Sequence, residues 1–163
     1  MKGVSAATAR LLPAVLLGAA LLGACAAPRD PACPAAQDLP PEALYGRWEA
    51  RFDGQPTAAV VELAAHPDYA GVRGTIARAG TGARPATVAQ LAGDLGDDGT
   101  LAIDESLDGR SISGVWVGTM APGACGRVFQ GTWRDAADES THAFVLTKTD
   151  EAKKKEAFEG RGK

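Results

Sequence analysis

Histidine and cysteine are scarce in this chain of 163 residues, which contains two His and three Cys. The sequence shows no set of a nucleophile, a base and an orienting group that would indicate catalysis. Cys33 and Cys125 have no nearby Cys or His at the spacing of metal ligands. Basic residues are not in excess either, since 17 Lys and Arg stand against 20 Asp and Glu. We therefore expect no enzyme, no metal site, no cofactor and no nucleic-acid partner.

Long apolar runs are missing except near the N-terminus, where residues 11–24 are rich in Leu and Ala. Lys2 and Arg10 precede this run, and small residues end it, as in a secretory signal. The run is shorter than the roughly 20 residues that a membrane-spanning helix needs. A transmembrane anchor is therefore the weaker interpretation.

The apolar run ends in Leu22-Gly23-Ala24-Cys25, which resembles the lipobox of bacterial lipoproteins. The resemblance implies that residues 1–24 are a signal peptide and that Cys25 is lipidated. Several acyl chains, at about 0.8 kcal/mol per buried methylene, make a firm membrane anchor. In lipoproteins of enteric-type bacteria, Asp after the lipidated cysteine favours retention in the inner membrane, and here Ala26 stands at that position. The resemblance therefore implies an outer-membrane lipoprotein of a Gram-negative bacterium that faces the periplasm. The alternative is an ordinary cleaved signal followed by a chance cysteine.

The rest of the chain divides by composition. Residues 25–43 contain five prolines among alanines and are predicted to be a flexible tether. Residues 44–149 are predicted to form one domain, and residues 150–163 a charged tail. Helix formers are not clustered, whereas Gly is abundant with 20 residues, and this favours short strands joined by turns.

Alternation of apolar and polar residues predicts an all-β domain. The eight expected strands cover about residues 44–52, 58–65, 69–78, 86–95, 100–106, 110–119, 126–134 and 140–149. Asp108-Gly109 predicts a type I′ hairpin between the fifth and sixth strands. Short connections favour an antiparallel up-and-down meander, and closing it into a barrel removes the exposed edges. Such an interior is either filled by side chains or holds one small ligand.

The meander also places the two remaining cysteines. We call the end where the chain enters strand one the bottom, and the opposite end the top. Cys33 precedes strand one and Cys125 lies between strands six and seven, so both lie at the bottom. In an oxidising compartment they are expected to form a disulfide, because the topology brings them within reach. The alternative is two free thiols.

A Gly-x-Trp motif occurs three times and ends at Trp48, Trp116 and Trp133. We interpret each Gly as making room for the large ring on the same face. On the first strand the motif resembles the calycin barrels, the avidins and lipocalins. Lipocalins usually cover this Trp with a basic residue near the last strand, for which Lys148 and Arg134 are both candidates. Ala50 stands where avidins have Asn, so biotin binding is not expected.

Two functions are consistent with this pattern. The first is a binding barrel whose top accepts a small apolar molecule or a peptide. The inner-face residues expected nearest that mouth are Phe52, Ile76, Ile112, Trp133 and His142. The second is a filled structural or interaction barrel of the cell envelope, for example a protease-inhibitor-like protein. The acidic pairs Asp97/Asp98 and Asp104/Glu105 are interpreted as turn residues.

The lipobox resemblance predicts the outcome of Cys25→Ser. Without the thiol no thioether can form, so the variant should stay unprocessed or be released as soluble protein. Membrane fractionation and intact-mass spectrometry measure this directly. A variant that remains in the membrane at the mature mass of the wild type would contradict lipidation at Cys25.

Overall fold

The structure is a computed structural model that describes residues 33–82 and 85–149. The predicted signal peptide, Cys25, the first part of the tether and the charged tail lie outside the described residues. Within the described ranges, no helix has the length and apolar character needed to cross a membrane.

Eight antiparallel strands form one closed barrel in chain order, and the last strand pairs with the first. The predicted all-β meander barrel is therefore confirmed. The strands are β1 Gly46–Phe52, β2 Ala59–Ala65, β3 Val72–Arg78, β4 Thr87–Leu95, β5 Thr100–Ser106, β6 Gly114–Met120, β7 Val128–Asp135 and β8 Thr141–Lys148.

The middle and bottom of the barrel are filled with side chains. In β1 the inward positions are Trp48, Ala50 and Phe52, all buried, and they alternate with more exposed charged residues. Trp116 packs edge-on against both Phe52 and Phe144, with ring centroids 4.9 Å apart in each pair. Trp48 and Trp116 are thus core residues, because their rings are enclosed by strands on all sides.

Two strands begin at least three residues later than predicted. β3 begins at Val72, and β6 begins at Gly114 because residues 107–113 form a loop. The predicted type I′ hairpin is wrong, since of its two central residues only Gly109 has a positive φ, of 71°. Asp108 instead accepts hydrogen bonds from the backbone N–H groups of Arg110 and Ser111, which stabilises a wider turn.

The bottom of the barrel is covered by the segment that leads into β1. Two short 3-10 helices, Ala36–Asp38 and Pro41–Leu44, lie against the barrel, so this part of the chain does not form the extended tether predicted for it. Leu44 is buried, and its carbonyl accepts a hydrogen bond of 2.8 Å from Trp48 Nε1. The N-terminal segment therefore closes this end with both apolar and polar contacts.

Lys148 is the basic residue that covers the first-strand Trp. Its Nζ lies 5.3 Å from the ring centroid of Trp48 and donates a hydrogen bond to the Ala43 carbonyl. Arg134, the other candidate, lies toward the top of β7 and pairs with Glu139. Lys148 thus connects the last strand, the first-strand Trp and the bottom segment.

A disulfide joins Cys33 to Cys125, as predicted. The S–S distance is 2.05 Å and the two α-carbons are 4.8 Å apart, which is within the usual range. The bond links the bottom segment to the loop between β6 and β7. It therefore holds the cover of the barrel to its wall.

Replacement of both cysteines by Ser should lower the free energy of unfolding by about 2–4 kcal/mol, because the disulfide restricts the unfolded chain. Urea denaturation of the oxidised protein and of the double variant measures the difference. The reduced wild type is the matched control and should unfold like the variant. Equal midpoints for the oxidised wild type and the variant would contradict a stabilising role.

Candidate functional site at the top of the barrel

The top of the barrel opens into a cavity of about 800 Å³, which we call the top cavity. Its walls come from the four top connections, between β1 and β2, β3 and β4, β5 and β6, and β7 and β8. They include Gln55, Ala79, Ile112 and Ala136, one from each connection. Since the bottom is covered, the cavity opens at the end of the barrel opposite the disulfide.

An ion pair forms the floor of the top cavity. Arg78 ends β3, Glu105 lies near the end of β5, and both point inward because they continue the buried face of their strands. Arg78 Nη1 and Nη2 donate to the two carboxylate oxygens of Glu105 at 2.6 and 2.8 Å. Trp116 Nε1 donates to Glu105 as well, at 3.1 Å. Three donors thus hold a carboxylate that is only 2 % exposed, which offsets its desolvation.

Two aromatic rings hold the guanidinium in place. The Arg78 Cζ atom lies 5.1 Å from the ring centroid of Phe52 and 5.3 Å from that of Trp133. The two rings also contact each other edge-on, with centroids 5.6 Å apart. Because Glu105 fixes the end of the guanidinium and the rings fix its position above them, Arg78 is a preorganised part of the cavity.

Trp133 lines the floor beside Arg78. Its side chain is almost fully buried, and its Nε1, which is also buried, has no hydrogen-bond partner within the described part of the chain. A β-carbon on Gly114 would lie 2.3 Å from this nitrogen, so only glycine at position 114 leaves room for the indole. The explanation of Gly-x-Trp needs correction here, because Gly114 makes room for Trp133 on the neighbouring strand and not for Trp116 on its own.

Apolar residues stand at the rim of the top cavity. Leu107 and Ile112 lie in the loop between β5 and β6 and are 57 % and 48 % exposed. Asp108 holds this loop through Arg110, Ser111 and the Ser106 hydroxyl. Hydrogen bonds from the Ser111 and Arg110 backbone lower the pKa of Asp108 from 3.8 to about 2. The rim is thus apolar on a loop that is fixed by an ionised carboxylate.

The structure separates the five residues predicted for the mouth. Ile112 and Trp133 line the top cavity, although Ile112 lies in a loop and not on the inner face of a strand. Phe52 lies beneath Arg78, and Ile76 is fully buried in the core. His142 lies behind Trp133, with ring centroids 5.7 Å apart, and its Nδ1 is 3.2 Å from the Asp53 carbonyl oxygen.

Sequence analysis missed Arg78 and Glu105. The inward face of β3 runs through Val72, Gly74 and Ile76, and one further step of two residues reaches Arg78. The interpretation of Glu105 as a turn residue is wrong, because β5 buries it in register with Leu101 and Ile103. The sequence feature that could have identified this ion pair is two residues of opposite charge, each on the inward face of its strand and each at the top end.

No group of His, Cys, Asp and Glu within residues 33–82 and 85–149 could hold a metal ion. In comparison with known proteins, the chain matches no protein-family model, no curated protein and no solved structure. The closed eight-stranded barrel is consistent with a calycin-like fold. The chemistry of the top cavity therefore has to be argued from its own residues.

Acid should loosen the rim loop in a defined pH range. Since folding lowers the pKa of Asp108 from 3.8 to about 2, ionised Asp108 stabilises the loop above about pH 4, and this contribution is lost as the pH falls toward 2. Amide chemical shifts of Arg110 and Ser111 should follow a titration near pH 2. In Asp108→Asn, which keeps an acceptor oxygen, this titration should vanish. The same titration in both proteins would contradict the assignment to Asp108.

Proposed function

We propose that this chain is an outer-membrane-anchored periplasmic lipoprotein, without enzymatic activity, whose barrel binds a small ligand in the top cavity. The observation that carries the proposal is the contrast between a filled barrel interior and an open top with preorganised polar groups at its floor. Side chains fill the barrel from Leu44 up to Phe52, and the cavity begins above Arg78 and Glu105. A barrel that served only as a scaffold would not need this arrangement.

The size and lining of the top cavity support the proposal. Its volume of about 800 Å³ falls within the roughly 300–1,000 Å³ of typical small-molecule sites. Such sites are mostly apolar and carry a few fixed polar groups, and here Arg78, held by Glu105, is such a group. The ligand would contact residues from every top connection, so binding would depend on the closed barrel as a whole.

The position of the cavity also fits a lipid anchor at Cys25. The described chain begins at Cys33, which the disulfide holds at the bottom of the barrel. An anchor eight residues earlier in sequence would attach to that end. The top cavity would then face away from the membrane surface and receive ligands from the periplasm.

A second candidate function is an interaction barrel of the cell envelope. Val117 and Val145 are half exposed on the outer face of β6 and β8, and Val88 is more exposed on β4. These residues could contact another envelope component. In that case the top cavity would not be needed, and a variant with a blocked cavity would keep its function.

Native mass spectrometry of the protein purified from its own cell envelope tests the binding function. We expect a fraction of the wild-type protein to carry a noncovalent small molecule. Ala79→Trp should strongly reduce this species, because Ala79 is an exposed residue of the cavity wall and a Trp there would occupy part of the cavity. Val117→Trp, on the outer face, is the matched control and should retain the ligand.

Two results would contradict the binding function. One is a wild-type protein that carries no small molecule. The other is the same bound species in the wild type and in Ala79→Trp, which would place the molecule elsewhere on the surface. Circular dichroism of both variants shows whether the barrel remains folded.

A further inference from the structure

The floor of the top cavity offers hydrogen-bond donors. An arginine has five N–H donors, and Arg78 gives two of them to Glu105, so three are left over. Trp133 Nε1 is buried against Gly114, so the donors that face the cavity are those of Arg78. Glu105, by contrast, has both carboxylate oxygens occupied by Arg78 and Trp116. A ligand that complements this floor must therefore present acceptors.

The charges of the cavity argue against an anionic acceptor. Glu105 neutralises Arg78 at 2.6 Å, so the floor has no net positive charge. Asp135 also lines the cavity and adds a negative charge, while the lining residues other than Arg78, Glu105 and Asp135 within the described ranges are uncharged. A carboxylate or phosphate would gain hydrogen bonds from Arg78 but would be repelled by Asp135 and Glu105. An uncharged carbonyl oxygen gains the same hydrogen bonds without that repulsion.

The rim supplies an apolar surface above these donors. Leu107 and Ile112 are exposed large aliphatic residues on one wall, and Pro56 and Pro85 line the cavity as well. Burial of an aliphatic chain here would stabilise the complex by about 25 cal/mol per Å² of apolar area removed from water. The cavity is thus polar at its floor and apolar at its rim.

We infer that the ligand is an uncharged amphipathic molecule with a carbonyl head, such as an acyl amide or ester, and an aliphatic body. The carbonyl oxygen accepts hydrogen bonds from the free edge of Arg78, next to Trp133, and the aliphatic body lies against Leu107 and Ile112. This inference rests on the proposed binding function and specifies its ligand class.

Three probes with the same chain length and different head groups test the ligand class. Octanamide, octanoate and octylammonium are titrated calorimetrically at neutral pH into the full-length protein purified from its own envelope in lipid nanodiscs. Empty nanodiscs give the background. We expect octanamide to bind about tenfold more tightly than either charged probe, because it alone pairs with the donors without a charge penalty.

Arg78→Lys tests the role of the guanidinium. Lysine keeps the positive charge opposite Glu105, but it lacks the planar edge with further N–H donors. We expect octanamide affinity to fall about tenfold in this variant. Arg134→Lys is the matched control, because Arg134 lies at the same end of the barrel outside the cavity lining and pairs with Glu139. It should leave the affinity unchanged.

A further variant tests the charge argument at the cavity wall. Asp135→Asn removes the negative charge at the wall and should narrow the preference for octanamide over octanoate. Asn can still accept the hydrogen bond from the Ala137 backbone.

The inference is overturned if octanoate binds as tightly as octanamide, if Arg78→Lys leaves octanamide affinity unchanged, or if none of the three probes binds. The proposed binding function is decided separately, since it depends on the native ligand and on Ala79→Trp. A native ligand that is lost in Ala79→Trp but carries an ionised head group would uphold binding and overturn the ligand class.

Discussion

The buried ion pair between Arg78 and Glu105 is the interaction that divides the barrel into two parts. Below it the interior is filled by aromatic and aliphatic side chains, and above it the top cavity begins. A buried carboxylate is costly unless its hydrogen bonds are satisfied, and here Trp116 of the core supplies the third donor. The core thus fixes Glu105, Glu105 fixes Arg78, and Arg78 shapes the floor of the cavity.

The architecture could be predicted from the sequence because it depends on local patterns. Alternation over seven or eight residues identifies a strand with one buried face, and short Gly-containing connections make neighbouring strands antiparallel. Once the strands are in meander order, the ends of the barrel alternate, so Cys33 and Cys125 fall at the same end. None of these steps requires knowledge of which side chains meet across the interior.

The site could be predicted only in part because it depends on contacts across the interior. Arg78 and Glu105 belong to β3 and β5, which are separated by β4 in the sheet, and they meet because the barrel curves. Each charge looks like an ordinary strand end when it is considered alone. The prediction of a tight hairpin at the rim was wrong for another reason. Asp108 accepts hydrogen bonds from the backbone two and three residues ahead, and these bonds stabilise a wider loop.

The two ends of the barrel use a similar arrangement with different results. At the bottom, Lys148 lies over Trp48 and donates to the Ala43 carbonyl, so the chain's own N-terminal segment accepts the hydrogen bond. At the top, Arg78 lies over Trp133, but no segment within the described residues covers it in the same way. At the bottom, the cation over the indole has the Ala43 carbonyl as its acceptor, and this contact closes the barrel. At the top, the cation over the indole leaves a place for an acceptor, and we propose that a ligand carbonyl occupies it as the Ala43 carbonyl does at the bottom.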